Sequence, residues 1–229
     1  MGYSAATRRD LGFEALKARQ RAIRSDFPEP FGLRIHRTLS WLARAESEPT
    51  DPAAMFLFLW IAFNAAYADE RDVLGERPQG ERGAFAWFFG QLDQLDTDRR
   101  LYACVWERFS GPIRLLLENR YVYGPFWSHH NGQLGYENWE TRFAGARKAF
   151  HAALARQDTV AILSMLFDRL YVLRNQIVHG GATWGSSVNR DQLRDGAEIL
   201  GCLVPIMADI MMTHAQEDWG RPFYPVVKD

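Results

Sequence analysis

The stretch "DTVAILSMLFDRLYVLRNQIVHGG", residues 158–181, decides how the chain folds. Leu170, Val172, Leu173, Ile177 and Val178 form an apolar run of the kind a core helix presents. Asp158 or Thr159 is suited to open that helix as its cap. Gly180-Gly181 is suited to end it near Val178, because glycine is the commonest helix terminator. One feature departs from a plain core helix. Arg174, Asn175 and Gln176 interrupt the apolar run, and His179 falls directly before the glycine pair.

Helical spacing continues outward in both directions. Residues 31–47 carry a loose apolar stripe through Leu33, Leu39 and Leu42. "EPTDPAAMFLF" then supplies a start signal, with Asp51 as cap and Pro52 in the first turn. The run to Tyr67 is apolar nearly all round and predicts a central helix. Further helices are expected over 82–95, over 96–120 with a break at Gly111-Pro112, over 138–155 and over 189–213. Two segments read as loops: the charged 69–83 and the aromatic, glycine-rich 121–137. Residues 215–229 read as an extended tail. No strand alternation and no internal repeat competes. The expectation is one all-α domain, an antiparallel bundle of five to seven helices with its core between about residues 31 and 214.

An apolar content of 47% with eight tryptophans is ample for a core and excludes a disordered chain. The net charge of −1 excludes a coat protein held on nucleic acid by bulk positive charge. Basic residues do gather locally. Between 138 and 180, Arg142, Arg147, Lys148, Arg156, Arg169 and Arg174 face only Glu140, Asp158 and Asp168. Cys104 and Cys202 lie in apolar helical patterns and are expected to be free thiols. No basic-then-apolar leader opens the sequence, and the most hydrophobic run, 53–68, falls short of the roughly 20 residues that span a bilayer. A cytoplasmic protein with no membrane partner is expected.

On a helix, Asn175 and His179 are four apart and share a face, and the long stem of Arg174 brings its guanidinium to the same edge. These types suit a phosphodiester. Arginine is a permanent forked donor for phosphate oxygens, histidine moves protons near neutrality, and asparagine orients a ring or a substrate oxygen. The plainer reading is a helix end: a glycine stop, a histidine favoured by the dipole, and an arginine paired with a neighbouring acid. On that reading the chain is a helical scaffold with no ligand. Elsewhere, His129-His130 fits no standard metal-ligand spacing, and His36, His151 and His214 stand alone on helices. The aromatics of "GPFWSHHNGQLGYENW", residues 124–139, are of a kind that stacks on bases or anchors a loop to a core.

"LRNQIVHGG" resembles the signature of the HEPN superfamily, α-helical and commonly homodimeric proteins that share an Arg-x(4–6)-His motif. Arg174 matches the motif arginine, Asn175 the polar residue that often follows it, and His179 the motif histidine. "FLWIAFNAAYA", residues 58–68, resembles the early apolar helix of many such domains. The resemblance implies a metal-independent endoribonuclease that cleaves RNA by attack of a 2′-hydroxyl and leaves a cyclic phosphate. Arg174 would hold the scissile phosphate, His179 would act as general base or acid, and Asn175 would orient. It implies no cofactor and no metal, a homodimer through the motif helix, a toxin–antitoxin or defence setting, and an antitoxin or regulatory partner. The alternative it implies is a non-catalytic RNA- or nucleotide-binding, dimerisation or regulatory module. One position departs from a toxin subgroup that carries tyrosine two residues after the histidine: here that residue is Gly181, which puts control by nucleotidyl modification in doubt.

Overall fold

The computed structural model describes residues 11–68, 80–181, 183–187, 189–222 and 224–226, with the side chains of 80–84 excepted. Among these residues there are ten α-helices and no strand. In chain order they are α1 (Phe13–Ile23), α2 (Glu29–Glu46), α3 (Pro52–Tyr67), α4 (Gly80–Leu95) and α5 (Arg100–Tyr102). There follow α6 (Ser110–Glu118), α7 (Gly124–His130), α8 (Trp139–Arg156), α9 (Thr159–Val178) and α10 (Arg190–Thr213). A π-helical segment, Ala103–Arg108, continues from α5, and a 3-10 turn, Arg120–Val122, precedes α7.

α3 begins as the sequence expects: the Asp51 carboxylate accepts from the Ala53 and Ala54 amides, both at 3.0 Å. α2 and α3 run antiparallel. Arg34, early in α2, donates to the carbonyls of Ala66 at 2.7 Å and Ala68 at 2.9 Å at the far end of α3. Trp41, late in α2, stacks on Phe58 in the first half of α3. The Arg34 side chain is fully buried, so its charge sits at the negative end of the α3 dipole and supplies donors for carbonyls that the helix end leaves open.

The core gathers around Phe63 of α3, whose ring meets Tyr67, Phe85, Phe88, Phe89 and Phe167, the last at 4.3 Å between centroids. Rings at such separations contribute specific geometry beyond the area they bury. α10 packs across this cluster. Its Gly196 permits the close approach, because a Cβ there would stand 3.0 Å from the Phe56 ring and 3.3 Å from Leu170. By length and composition α10 is apolar enough to cross a membrane, yet Leu203–Met212 is buried within this protein throughout. The one carboxylate in that run, Asp209, is paired with Arg19 of α1 and with Arg100 of α5, the latter at 2.6 Å. A buried carboxylate needs such partners, and here they tie three helices together.

Ten helices exceed the expected five to seven, for three local reasons. The polar N-terminal stretch forms α1 on a narrow apolar edge in which Leu16 is fully buried. The 96–120 stretch is not one helix. Asp96 accepts from the Leu101 amide at 2.6 Å, Arg99 takes a left-handed φ of 54°, and the π segment ends at Phe109, before Gly111-Pro112. The supposed 121–137 loop contains α7, which Pro125 opens from the first turn. The other expected loop falls, over 69–79, outside the described residues, and α4 begins at Gly80. In the tail, Trp219 is buried and its indole N–H donates to the His214 carbonyl at 2.8 Å.

Both cysteines are free thiols, as expected. Burial first, and then the neighbouring Cys202, push the Cys104 thiol well above its ordinary value.

Candidate functional site

α9 is the element that positions the motif. Asp158 caps its start by accepting from the Ala161 amide at 3.0 Å. Its end is a glycine-terminated double turn. The Gly180 amide donates to Ile177 O at 3.1 Å and the Gly181 amide to Gln176 O at 2.6 Å, with Gly180 at a left-handed φ of 72°. Gly181 is required by space: a Cβ there would lie 2.9 Å from the Gln176 carbonyl oxygen, which is backbone and cannot swing away. The glycine pair therefore ends the helix, the role that the plainer sequence reading assigned to it.

Asp168, Tyr171, Val172, Asn175 and Gln176 lie at three- and four-residue intervals along one side of α9 and line a groove of about 1080 Å³. Its other walls come from Asn119, Tyr121, Trp127, Ser128 and Asn131 before α8, and from Ser187, Asn189, Asp191 and Gln192 at the start of α10. Gly181 also lines it. The segments are fastened to each other through Gln176. Its Nε2 donates to the Tyr121 carbonyl at 2.6 Å and its Oε1 accepts from Asn189 Nδ2 at 2.7 Å. Trp127 Nε1 donates to the same Tyr121 carbonyl at 2.7 Å. Farther along, exposed Trp184 of the glycine-rich loop donates its indole N–H to Asp51 Oδ2 at 3.0 Å. The Ala54 amide first, then this indole, hold the Asp51 carboxyl below its ordinary value.

The three residues singled out by sequence stand in different positions. Asn175 lines the groove. Arg174 does not; it is half-buried and donates from Nη1 to Asn175 Oδ1 at 2.8 Å, so that it is joined to the groove through the amide. His179 is the C-terminal cap residue of α9, exposed beyond the groove-facing stripe, with its backbone amide donating to Asn175 O at 3.0 Å. Among the described residues its imidazole meets no hydrogen-bond partner and no ion pair, Arg174 included. The helix thus brings Arg174 and Asn175 into contact and sets His179 one turn past Asn175.

His129 and His130 turn to other work. The His130 ring stacks on Phe126 at 4.0 Å and its Nδ1 is 2.7 Å from Phe126 O, while His129 packs near Trp139. Neither lines the groove. No group of three or more His, Cys, Asp or Glu among the described residues is placed to hold a metal ion. Sequence reasoning passed over Gln176, Asn119, Asn189 and Gln192. The signal available was an amide-rich pair of segments flanking the motif, but which amides face α9 depends on the fold of 119–131.

No significant match to this chain exists among protein-family models, curated proteins or solved structures.

Proposed function

We propose that the chain is a HEPN-like endoribonuclease that needs no metal and cleaves RNA through attack of a ribose 2′-hydroxyl on the adjacent phosphodiester. The observation that carries this reading is the exposed His179 one helical turn from a hydrogen-bonded Arg174–Asn175 pair, of which Asn175 lines a groove of about 1080 Å³. In the proposed reaction His179 takes the proton of the 2′-hydroxyl or delivers one to the departing 5′-oxygen. Arg174 offers the donors that Asn175 does not occupy to the phosphate oxygens, where negative charge grows in the transition state. Asn175 keeps its amide N–H groups for the substrate, because its oxygen is taken by Arg174.

The reaction needs both an acid and a base, and neither His129 nor His130 turns toward the groove to supply the second. A two-fold homodimer about the motif helix would bring two copies of His179 to one phosphate. Exposed Val178 beside His179 offers apolar surface for such a contact. The setting that fits this reading is a cytoplasmic toxin–antitoxin or defence enzyme, with an antitoxin or other regulatory partner. Sedimentation of the purified chain, together with mixing of inactive Arg174→Ala and His179→Ala chains, tests the composite site. A dimer whose mixed form regains part of the activity is expected. A fully active monomer would contradict it.

A second reading rests on the same geometry. Since Arg174 and His179 do not line the groove, the motif fits a non-catalytic module in which the groove binds RNA or a nucleotide and α9 dimerises. Base binding without cleavage would favour it.

A further inference from the structure

We infer that the groove beside α9 seats one unpaired nucleobase, stacked against Tyr121 or Trp127 and read by side-chain amides whose orientation the protein has already fixed. For the identity of the strand that carries the base, this rests on the ribonuclease reading. Tyr121 is 46% and Trp127 37% exposed, and both line the groove. Their polar atoms are engaged in part, with the Tyr121 O–H left to donate. The Trp127 indole N–H is spent on the Tyr121 carbonyl, and the Tyr121 hydroxyl accepts from Arg120 at 2.9 Å. The Arg120 guanidinium lies over one face of the Tyr121 ring, 5.0 Å from its centroid, so Tyr121 offers a ligand its other face and Trp127 its indole face, and every base has a face to stack on them.

The amides are set in a complementary way. The Asn119 oxygen accepts from the Tyr121 amide at 2.9 Å, which leaves its NH2 group for a ligand. The Asn175 oxygen accepts from Arg174, which leaves its NH2 group likewise. Asn189 is held the other way round, since its Nδ2 donates to Gln176 and its Oδ1 remains to accept. The groove therefore presents donors and an acceptor whose direction is set before a ligand arrives. The edge of a nucleobase carries donors and acceptors side by side, and amide side chains match such pairs. Ligand rings and fixed polar groups of this kind also limit the ordering cost of binding. Because Asn175 both lines the groove and holds Arg174, a base seated here has its own phosphate directed toward the motif.

The test measures binding of adenosine, cytidine, guanosine and uridine 5′-monophosphates by titration calorimetry, with ribose 5-phosphate and maltotriose as base-free probes. At least one nucleotide is expected to bind at least about fivefold more tightly than either base-free probe, the weak end of what one base stack contributes. Tyr121→Ala keeps the backbone carbonyl that fastens Gln176 and Trp127, so it removes the ring without removing the fastening. It is expected to weaken nucleotide binding by the same factor or more, as is Trp127→Ala. Leu115→Ala, on the exposed side of α6 away from the groove, is expected to change nothing. Equal binding of ribose 5-phosphate or maltotriose overturns the proposal, as does full affinity in both aromatic variants. Cleavage is scored separately. Nucleotide binding by a chain that cuts no RNA overturns the ribonuclease reading and leaves the base pocket standing, whereas cleavage by a chain that binds nucleotides no more tightly than ribose 5-phosphate does the reverse.

Discussion

Gln176 of α9 donates to the backbone carbonyl of Tyr121 at 2.6 Å, a contact that fastens the 119–131 segment to the motif helix across 55 positions of sequence alongside Arg169, whose guanidinium lies 4.4 Å over the Tyr123 ring. With its other end holding Asn189, the same side chain joins both walls of the groove. Replacing it by the apolar Gln176→Leu removes both bonds and leaves the Tyr121 carbonyl with Trp127 alone. A loss of about 1–2 kcal/mol in unfolding free energy, read from denaturant unfolding, is expected, since the contact is solvent-accessible rather than deeply buried. Amide exchange over 121–127 should accelerate in step. Unchanged exchange there would show that the segment is held by other contacts.

The glycine pair should divide into two different effects. Gly180→Ala meets open space and bears only the left-handed backbone, roughly 1–2 kcal/mol. Gly181→Ala places its Cβ against the Gln176 carbonyl, so the 2.6 Å bond must open and the loop must move. The second variant should therefore alter the end of α9 and lose groove binding, while the first mainly lowers the melting temperature. Equal effects on both would argue against this helix end.

Arg34→Met tests the buried cap of α3. The substitution keeps much of the side-chain volume but removes the donors to Ala66 and Ala68, leaving buried carbonyls unsatisfied. A loss of about 3 kcal/mol is expected from the unmade hydrogen bonds. A melting temperature within a degree of the parent would contradict the cap.

Asp93 sets a pH dependence. Burial first, then the charges of Asp96 and Asp158, raise its carboxyl above the ordinary value, against the opposing pull of Arg99. The folded state thus holds this proton more tightly than the unfolded chain does. Its contribution favours folding at acid pH and is lost as pH rises through the folded value. Asp93→Asn should accordingly melt higher than the parent at pH 7, with the advantage fading on acidification as the parent carboxyl takes up its proton. An advantage that grows on acidification would reverse the assignment.

The helices that organise the core were readable from the residues that start and stop them. Asp51 with Pro52, Asp158, and Gly180-Gly181 act locally, and each does in three dimensions what its position in the chain suggests. The groove was not readable in this way. Its walls depend on α7 forming inside an aromatic, glycine-rich stretch, and on side chains such as Gln176 reaching partners far away in sequence. α1 was hidden for a related reason. An edge carrying Leu16 among charged residues gives weak periodicity, and only packing against α2 and α10 makes that edge a core face. The stretch 96–120 is divided locally, by the Asp96 carboxylate that accepts from the Leu101 amide and by the π segment that ends at Phe109, ahead of the Gly111-Pro112 signal.

The most direct measurement is cleavage of a labelled single-stranded RNA in excess EDTA by the parent chain and by His179→Ala, with the product ends identified. Cleavage by the parent, products ending in a 2′,3′-cyclic phosphate, and a loss of at least about 100-fold in His179→Ala are expected for a residue that moves the proton. EDTA-resistant cleavage that survives unchanged in His179→Ala, or no cleavage of RNA by the folded parent chain, would contradict the account.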